Sequence, residues 1–301
     1  MTILITGATG LVGQELVQLL LENGHVVHYL STSKNKIVTK KDYKGFYWNP
    51  ETAEIDLNAL TNVEVVVHLA GATVAKKWTK SYKQEIIESR VLSTRLLYQT
   101  LQKNDNQVKQ IVSASAVGIY PDSLTNIYHE KDLDIDTSFL GNVVKQWENE
   151  VSQFEKLNIL VAKIRIGLVL AKDGGALQEM VKPIKFGIGS AFGSGQQYQS
   201  WIHLHDLVSI FYHVIENKCA GVYNGVSPYP VTNEVLTKAI AKTLEKPLFL
   251  PNIPKFAMKL ILGEMHILLF SSQHVSCRKL LDENFQFKFG SLDKALNDLL
   301  K

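Results

Sequence analysis

The sequence predicts an α/β protein built on a doubly wound, mostly parallel sheet. Three observations lead there. Short aliphatic runs alternate with amphipathic helical patterns over the first two-thirds of the 301 residues, the signature of βαβ units. Those runs are nearly free of charge, as strands covered on both faces must be. A glycine-rich turn joins the first run to the first helix. With 46% hydrophobic residues the chain can bury a sizeable core without disulfides or metals.

Residues 3–6 form the first expected strand and 26–30 the second, followed by 63–69, 111–115 and 159–170. Helical patterns fill 10–22, 80–102 and 138–156. In the last, Phe139, Val143, Trp147 and Val151 recur every four residues and make one apolar stripe. Gly24, after Glu22-Asn23, closes the first helix. Lys34, Lys36, Lys40, Lys41 and Lys44 lie in a polar stretch that reads as a solvated loop or as a phosphate-facing rim. Beyond residue 170 the pattern is less regular. Gly187, Gly189, Gly193 and Gly195 mark a loop that either covers a ligand or simply connects. Asp206 is expected to cap a helix reaching about Asn217, and Thr232 to cap another carrying Val235, Leu236, Ala239 and Ile240. Pro247, Pro251 and Pro254 break the chain before an amphipathic segment, 256–270. The expected division is a dinucleotide-binding domain over 1–170, to which later segments return, and a second lobe over 171–301.

Composition excludes several function classes. A net charge of +3, with no basic block, is too mild for a nucleic-acid surface. Lys259, Glu264 and His266 interrupt the most apolar late segment, which is too short and polar to span a bilayer. No charged n-region precedes the first strand. A soluble, cytoplasmic protein without nucleic-acid or membrane partners is expected. Cys219 and Cys277 read as reduced thiols. The nine histidines show no metal-ligand spacing, so no metal is expected. Oligomeric state is left open.

Gly7-Ala8-Thr9-Gly10-Leu11-Val12-Gly13 stands between a strand and a helix. Gly7 permits the tight turn, Gly10 lets the backbone approach a pyrophosphate, and Gly13 lets helix and strand pack closely. The helix start offers free N–H groups and the positive end of its dipole to phosphates. Gly7, Thr9, Gly10, Leu11, Val12 and Gly13 are therefore expected to bind a dinucleotide on a Rossmann-type fold. NAD sites place an acid at the end of the second strand. Here the chain reads Leu30-Ser31-Thr32-Ser33-Lys34, with no acid before Asp42. Ser31, Thr32 and Lys34 suit a 2′-phosphate, so NADP(H) is expected rather than NAD.

This glycine spacing, followed by His68-Leu69-Ala70-Gly71-Ala72, resembles the extended short-chain dehydrogenase/reductase superfamily of nucleotide-sugar epimerases and dehydratases. Lys77-Trp78, Ser89-Arg90, Ser113-Ala114-Ser115-Ala116-Val117-Gly118, Phe139-Leu140 with Trp147-Glu148, and Ser200-Trp201-Ile202-His203 narrow the resemblance to an atypical, epimerase-like subfamily. The stretch from Leu262-Gly263-Glu264 through Gln273, Lys279-Leu280-Leu281 and Phe285-Gln286-Phe287 is similar to that subfamily's C-terminal domain, placed here over 232–301. The resemblance implies a smaller, mostly helical substrate lobe and cofactor contacts at Leu69, Ala70, Gly71 and Ser113. The superfamily's catalytic Tyr and Lys, four apart on one helix, fall at Leu140 and Val144. Neither can move a proton, and Lys145 lies about 100° around the helix.

Ser115 falls at the superfamily's active-site serine and either orients a carbonyl or hydroxyl or satisfies a strand end. His203 is a titratable candidate or a hydrogen-bonded structural histidine. Arg165 reads as an ion pair or a phosphate contact. Arg90, Lys77 and Trp201 are further substrate-site candidates. The expected function is an NADP(H)-dependent oxidoreductase or epimerase-like enzyme for a small polar substrate, including a sugar derivative. Its rivals are a non-catalytic NADP(H) sensor and a vestigial fold kept for interaction.

Overall fold

The computed structural model describes residues Met1–Lys301. Seven strands run parallel in one sheet: β1 Thr2–Thr6, β2 Val26–Ser31, β3 Tyr43–Asn49, β4 Val63–His68, β5 Gln110–Ala116, β6 Leu160–Ile166 and β7 Gly221–Gly225. Their spatial order is β7-β6-β5-β4-β1-β2-β3, so the winding reverses between β1 and β4. Ile3, Leu4, Ile5, Val66 and Val67 are fully buried, which is why the central runs are purely aliphatic.

Two strands were not expected. β3 is an outer strand carrying Lys44 and four aromatic residues, with Lys44 exposed, so it lacks the aliphatic run by which the other strands are read. It is fixed through Gly45, where a Cβ would come within 2.4 Å of the Tyr29 ring. The Tyr29 hydroxyl in turn donates to Lys36 O and accepts from Val38 N–H, at 2.7 and 2.8 Å. The lysine stretch is thereby tied down rather than free. β7 is short and glycine-flanked, and the edge of β6 supplies its hydrogen bonds.

The run 159–170 is not one strand. β6 ends at Ile166, and Leu168–Leu170 pairs with Trp201–His203 in a separate ladder. Gly167 makes the step, since a Cβ there would lie 2.1 Å from Ser200 O.

Seven main helices follow the strands: α1 Leu11–Glu22, α2 Lys80–Lys103, α3 Phe139–Ser152, α4 Gly175–Lys185, α5 Leu204–Glu216, α6 Asn233–Thr243 and α7 Lys255–Leu262. Thr79, Ser138 and Thr232 cap α2, α3 and α6 by accepting from Tyr82, Gly141 and Val235 N–H. α3 gives way to a 3-10 turn, Gln153–Leu157, short of the expected helix end. α1 packs on α5 and α2 on α3.

Asp206 is not the cap of α5. His203 is, its Nδ1 accepting from His205 N–H at 3.1 Å. Asp206 is instead buried and accepts from Lys288 and Phe289 N–H, both at 2.9 Å. It anchors the C-terminal tail. A second, smaller apolar core joins Leu170, Leu177, Trp201, Leu236, Phe289 and Leu296. It is closed by the terminal helix Leu292–Leu300 against α6. No helix is long and apolar enough to cross a membrane.

Candidate functional site

The carboxyl ends of β1, β2, β4 and β5 open into two cavities at the point where the strand order reverses, the place where open α/β sheets bind ligands. The first, of about 740 Å³, is lined by Gly7, Thr9, Ser31, Thr32, Lys36, Ala70 and Gly71, and by Trp48–Glu51 and the α2 residues Glu85, Glu88 and Ser89. Gly7 has φ +71°, and a Cβ there would meet Leu69 C and O at 2.9 Å. At Gly13 a Cβ would lie 2.2 Å from Gly7 O. Both positions demand glycine. Gly10 is the N-cap of α1 and its own N–H donates to Gly7 O at 3.0 Å, which leaves the N–H groups of Leu11, Val12 and Gly13 as the open donors of the first turn. Leu11 and Val12 form that turn, and Val12 packs against the main core.

Behind the glycines the polar groups are fully committed. Thr6 Oγ1 accepts from Leu69 and Ala70 N–H, each at 3.1 Å, and so must donate to His68 Nδ1 at 2.7 Å. His68 therefore carries its proton on Nε2 and donates it to Thr94 Oγ1 at 3.0 Å. Burial, followed by the nearby Arg90 charge, pushes the His68 pKa down to about 3, so the ring is neutral. This network fixes the loop from Leu69 to Gly71 between the two cavities.

The second cavity, of about 430 Å³, lies beyond that loop. Its wall is mostly apolar and includes Leu69, Val74, Leu140, Val143, Val144 and Trp147. Ile267 and Leu268 of the tail also line it. Leu140 and Val144 thus sit where the sequence placed them, facing the cavity, and add to its apolar wall. Arg90 lines the same cavity, but its Nη1 donates to Ala72 O and Ile86 O at 3.1 and 2.9 Å, and its guanidinium stacks 5.2 Å over Trp147. Burial lowers its pKa to about 10. An ion pair between Lys83 and Glu264 ties the tail to α2 beside the opening.

Ser115 also lines this cavity, at the end of β5. Its hydroxyl donates to Glu148 Oε1 at 2.5 Å. Glu148 is gripped at both oxygens by Arg165, Nε to Oε1 and Nη2 to Oε2 at 2.9 Å each. Arg165 Nη1 donates to the Tyr120 hydroxyl at 2.9 Å, which donates to Asn224 Oδ1 at 2.7 Å. Burial raises the Glu148 pKa, but Arg165 and Ser115 outweigh it and hold the carboxyl below its usual range. With its proton committed to a carboxylate, Ser115 presents lone pairs to the cavity. It can accept from a ligand hydroxyl or N–H but is poorly placed to polarise a carbonyl.

Several candidates fall elsewhere. Arg165 is consumed by the ion pair with Glu148, not by a ligand. His203 is buried, stacked 4.0 Å from Phe289 and bonded to Asp298 at 3.2 Å, and lines neither cavity. Trp201 is fully buried in the second core, its indole N–H donating to Tyr229 O at 3.0 Å. Lys77 is exposed outside both cavities. Ser113 is buried with its hydroxyl turned to Ala114 O at 2.9 Å. Lys34 lies 4.8 Å over the Tyr47 ring, while Lys36 lines the first cavity in its place. The loop 187–195 lines neither cavity and is held within the second lobe, with Gly193 N–H donating to Ile253 O at 2.8 Å. Sequence reasoning missed Glu148, Tyr120 and the tail residues Ile267, Leu268 and Gln273. Glu148 was visible as a lone acid beside Trp147 on an apolar helix face, a pattern that demands a buried partner.

Comparison with known proteins agrees with this architecture. Residues 3–139 match the NAD dependent epimerase/dehydratase family, and residues 253–299 match a domain of unknown function, DUF1731. An epimerase family protein of Staphylococcus aureus strain N315 is 38% identical over 300 residues, covering 99% of this chain and 98% of that protein. One from Staphylococcus saprophyticus is 35% identical over 302 residues, covering 99% and 98%. The crystal structure of human epimerase family protein SDR39U1 with NADPH superposes with a TM-score of 0.85 at 28% identity, covering 99% of both chains. A nucleoside-diphosphate sugar epimerase from Corynebacterium glutamicum superposes with a TM-score of 0.79 at 29% identity, over 99% of this chain and 58% of that one. The chain belongs to the NAD-dependent epimerase/dehydratase family, as an epimerase family protein with a C-terminal DUF1731 domain.

Proposed function

We propose that the chain is an NADP(H)-dependent oxidoreductase or epimerase-like enzyme whose substrate has a mostly apolar body and a hydroxyl or carbonyl at the reacting carbon. The observation that carries this reading is a glycine cradle at the sheet's reversal point, shaped for a pyrophosphate and opening beside a separate apolar cavity. Backbone N–H groups of Leu11, Val12 and Gly13 would hold the pyrophosphate. Ser31, Thr32 and Lys36, with Lys34 nearby, would face the 2′-phosphate, and Leu69 to Gly71 would border the nicotinamide end. The human neighbour solved with NADPH supports the same cofactor. In this division, residues 1–170 and the returning segment β7 hold the cofactor, and 171–301 supply the substrate lobe.

When bound, the nicotinamide supplies hydride transfer to or from a carbon bearing oxygen. Ser115 accepts a hydrogen bond from the substrate hydroxyl and so orients it. Arg165, through Glu148, keeps the Ser115 proton turned away from the cavity. The apolar wall excludes water from the reacting carbon. A second reading, a cofactor-binding sensor without turnover, draws on Leu140 and Val144, which replace the proton-moving pair with hydrocarbon.

The test is a titration with NADPH and NADH, following nicotinamide fluorescence and Tm, then NADPH oxidation with alicyclic and aryl ketones beside UDP-sugars. At one hundred times Kd, a ligand adds about 2.7 kcal/mol of stability. Micromolar NADPH binding, at least tenfold weaker NADH binding and turnover of an apolar ketone are expected. Gly13→Ala should abolish binding. Preference for NADH overturns the cofactor reading. NADPH binding without consumption by any member of the panel moves the conclusion to the sensor.

A further inference from the structure

Near the amino end of β7, three side chains converge that neither cavity uses. His213 stands on the last turn of α5, Cys219 lies in the loop leading to β7, and Glu283 follows the short helix Arg278–Asp282. His213 Nε2 is 4.0 Å from Glu283 Oε2, and Cys219 Sγ is 4.0 Å from the same oxygen. All three ligand atoms lie within 4.8 Å of one another. We propose that His213, Cys219 and Glu283 bind one zinc ion, with water in the fourth position.

The donor set suits that ion. An imidazole nitrogen, a thiolate and a carboxylate are the ligands zinc takes, and three protein ligands leave one position for water. Tetrahedral bonds of about 2.0–2.3 Å put neighbouring ligand atoms about 3.4–3.7 Å apart. Closing from 4.0 Å, and from at most 4.8 Å, asks for movements of about 1 Å or less. All three residues are half-buried, so the backbone around them is ordered while an ion can still enter.

The surroundings orient the ligands as outer partners do at metal sites. The Tyr223 hydroxyl donates to Glu283 Oε1 at 3.1 Å and leaves Oε2 for the ion. Asn217 Nδ2 lies 3.2 Å from His213 Nδ1. The same Nδ2 donates to the His213 carbonyl at 2.8 Å, so the amide braces the last turn of α5 on which the imidazole stands. The His213 carbonyl also accepts from Asn217 backbone N–H, at 3.0 Å.

Charge points the same way. Glu283 has no Lys or Arg within ion-pair distance, only His213. Lys279 donates to Val222 O at 2.8 Å and lies 3.5 Å over the Tyr223 ring, close enough for its charge to favour the Cys219 thiolate. Binding would replace the Cys219 S–H bond by S–Zn and release one proton to solvent. The ion would staple the tail to α5 and to the edge of the main sheet. Sequence spacing hides the set because Glu283 lies 64 residues beyond Cys219.

The probe is Co²⁺ added to reduced, chelator-treated full-length protein. One equivalent should give a thiolate-to-cobalt charge-transfer band in the near ultraviolet, and Zn²⁺ should bleach it. Cys219→Ser should remove the band, while Cys277→Ser, altering the other thiol, should leave it. Glu283→Gln should weaken Zn²⁺ binding at least tenfold, read by competition with a chromophoric chelator. Zn²⁺ should raise Tm in the natural chain but not in Cys219→Ser. Absence of a band at one equivalent, or a band that survives Cys219→Ser, overturns the proposal and leaves a hydrogen-bonded cluster around Glu283.

Discussion

At the scale of single residues, burial separates polar groups that hold the site from those that face it. His68 is completely enclosed, and its folded pKa of about 3 lies below the 6.5 of an unfolded chain. Above pH 6.5 both states are neutral and the contribution to stability is full. As pH falls through the window from 6.5 toward 3, the unfolded chain takes up a proton that the folded one refuses, and stability is lost. Urea unfolding should show a loss of about 2 kcal/mol between pH 7 and pH 5 that His68→Gln removes. Glu148 behaves as a depressed carboxylate, its contribution present above the unfolded pKa and lost as pH falls through the folded one. At neutral pH Glu148→Gln leaves Arg165 buried beside a neutral amide. Removing one partner of a buried pair costs about 3 kcal/mol, which equilibrium unfolding would register. Unchanged stability would mean that Arg165 finds another partner.

At the scale of elements, α3 and α5 show how one helix serves two purposes. The apolar stripe of α3 that the sequence displays does bury Val143, Trp147 and Val151. The same helix turns Leu140 and Val144 into the second cavity and Glu148 under Ser115. α5 packs on α1, beneath the cofactor cradle, while its Asp206 holds the tail through Lys288 and Phe289 N–H. Asp206→Ala would strand the buried Phe289 N–H and free the part-buried Lys288 N–H, at a cost of about 1–3 kcal/mol. Asp206→Asn keeps one acceptor and should recover part of it. Thermal unfolding of both variants checks the order, and equal Tm values would remove Asp206 as the anchor. The element missed most completely, β3, was hidden by its position. Near the sheet edge coverage is incomplete, so an exposed Lys44 is tolerated and aliphatic character is not required.

At the scale of the whole molecule, the chain crosses repeatedly between its two cores. After Leu170 enters the smaller core the chain returns through α5 and β7 to the main sheet. It then leaves again for α6 and runs back along the tail, whose Val275, Leu280 and Phe285 join the larger core. The cores therefore share segments, and calorimetry should record one cooperative transition with matching van't Hoff and calorimetric enthalpies. Two resolved transitions would show that the lobes unfold independently. The tail also decides the shape of the second cavity, because Ile267, Leu268 and Gln273 complete its wall. The family's unassigned C-terminal domain is thus part of the candidate site rather than an appendage to it.

The sequence by itself determined the strand–glycine–helix cradle, the central strands and most helix starts. Each depends on local physics: glycine where a Cβ would collide, unbroken aliphatic runs where both faces are covered, and hydroxyl caps at helix ends. The resemblance to the superfamily, not local physics, put Leu140 and Val144 where a proton-moving pair would be expected. Only the tertiary structure decided the fate of Arg165, His203, Asp206 and Trp201. A charge, an imidazole or an indole reads the same in a sequence whether its partner is a ligand or a residue a hundred positions away. Partners such as Glu148, Asp298 and Phe289 are set by packing between distant segments. The apolar second cavity arises in the same way, from walls supplied by β5, α3 and the tail, and no local pattern in any one of them could announce it.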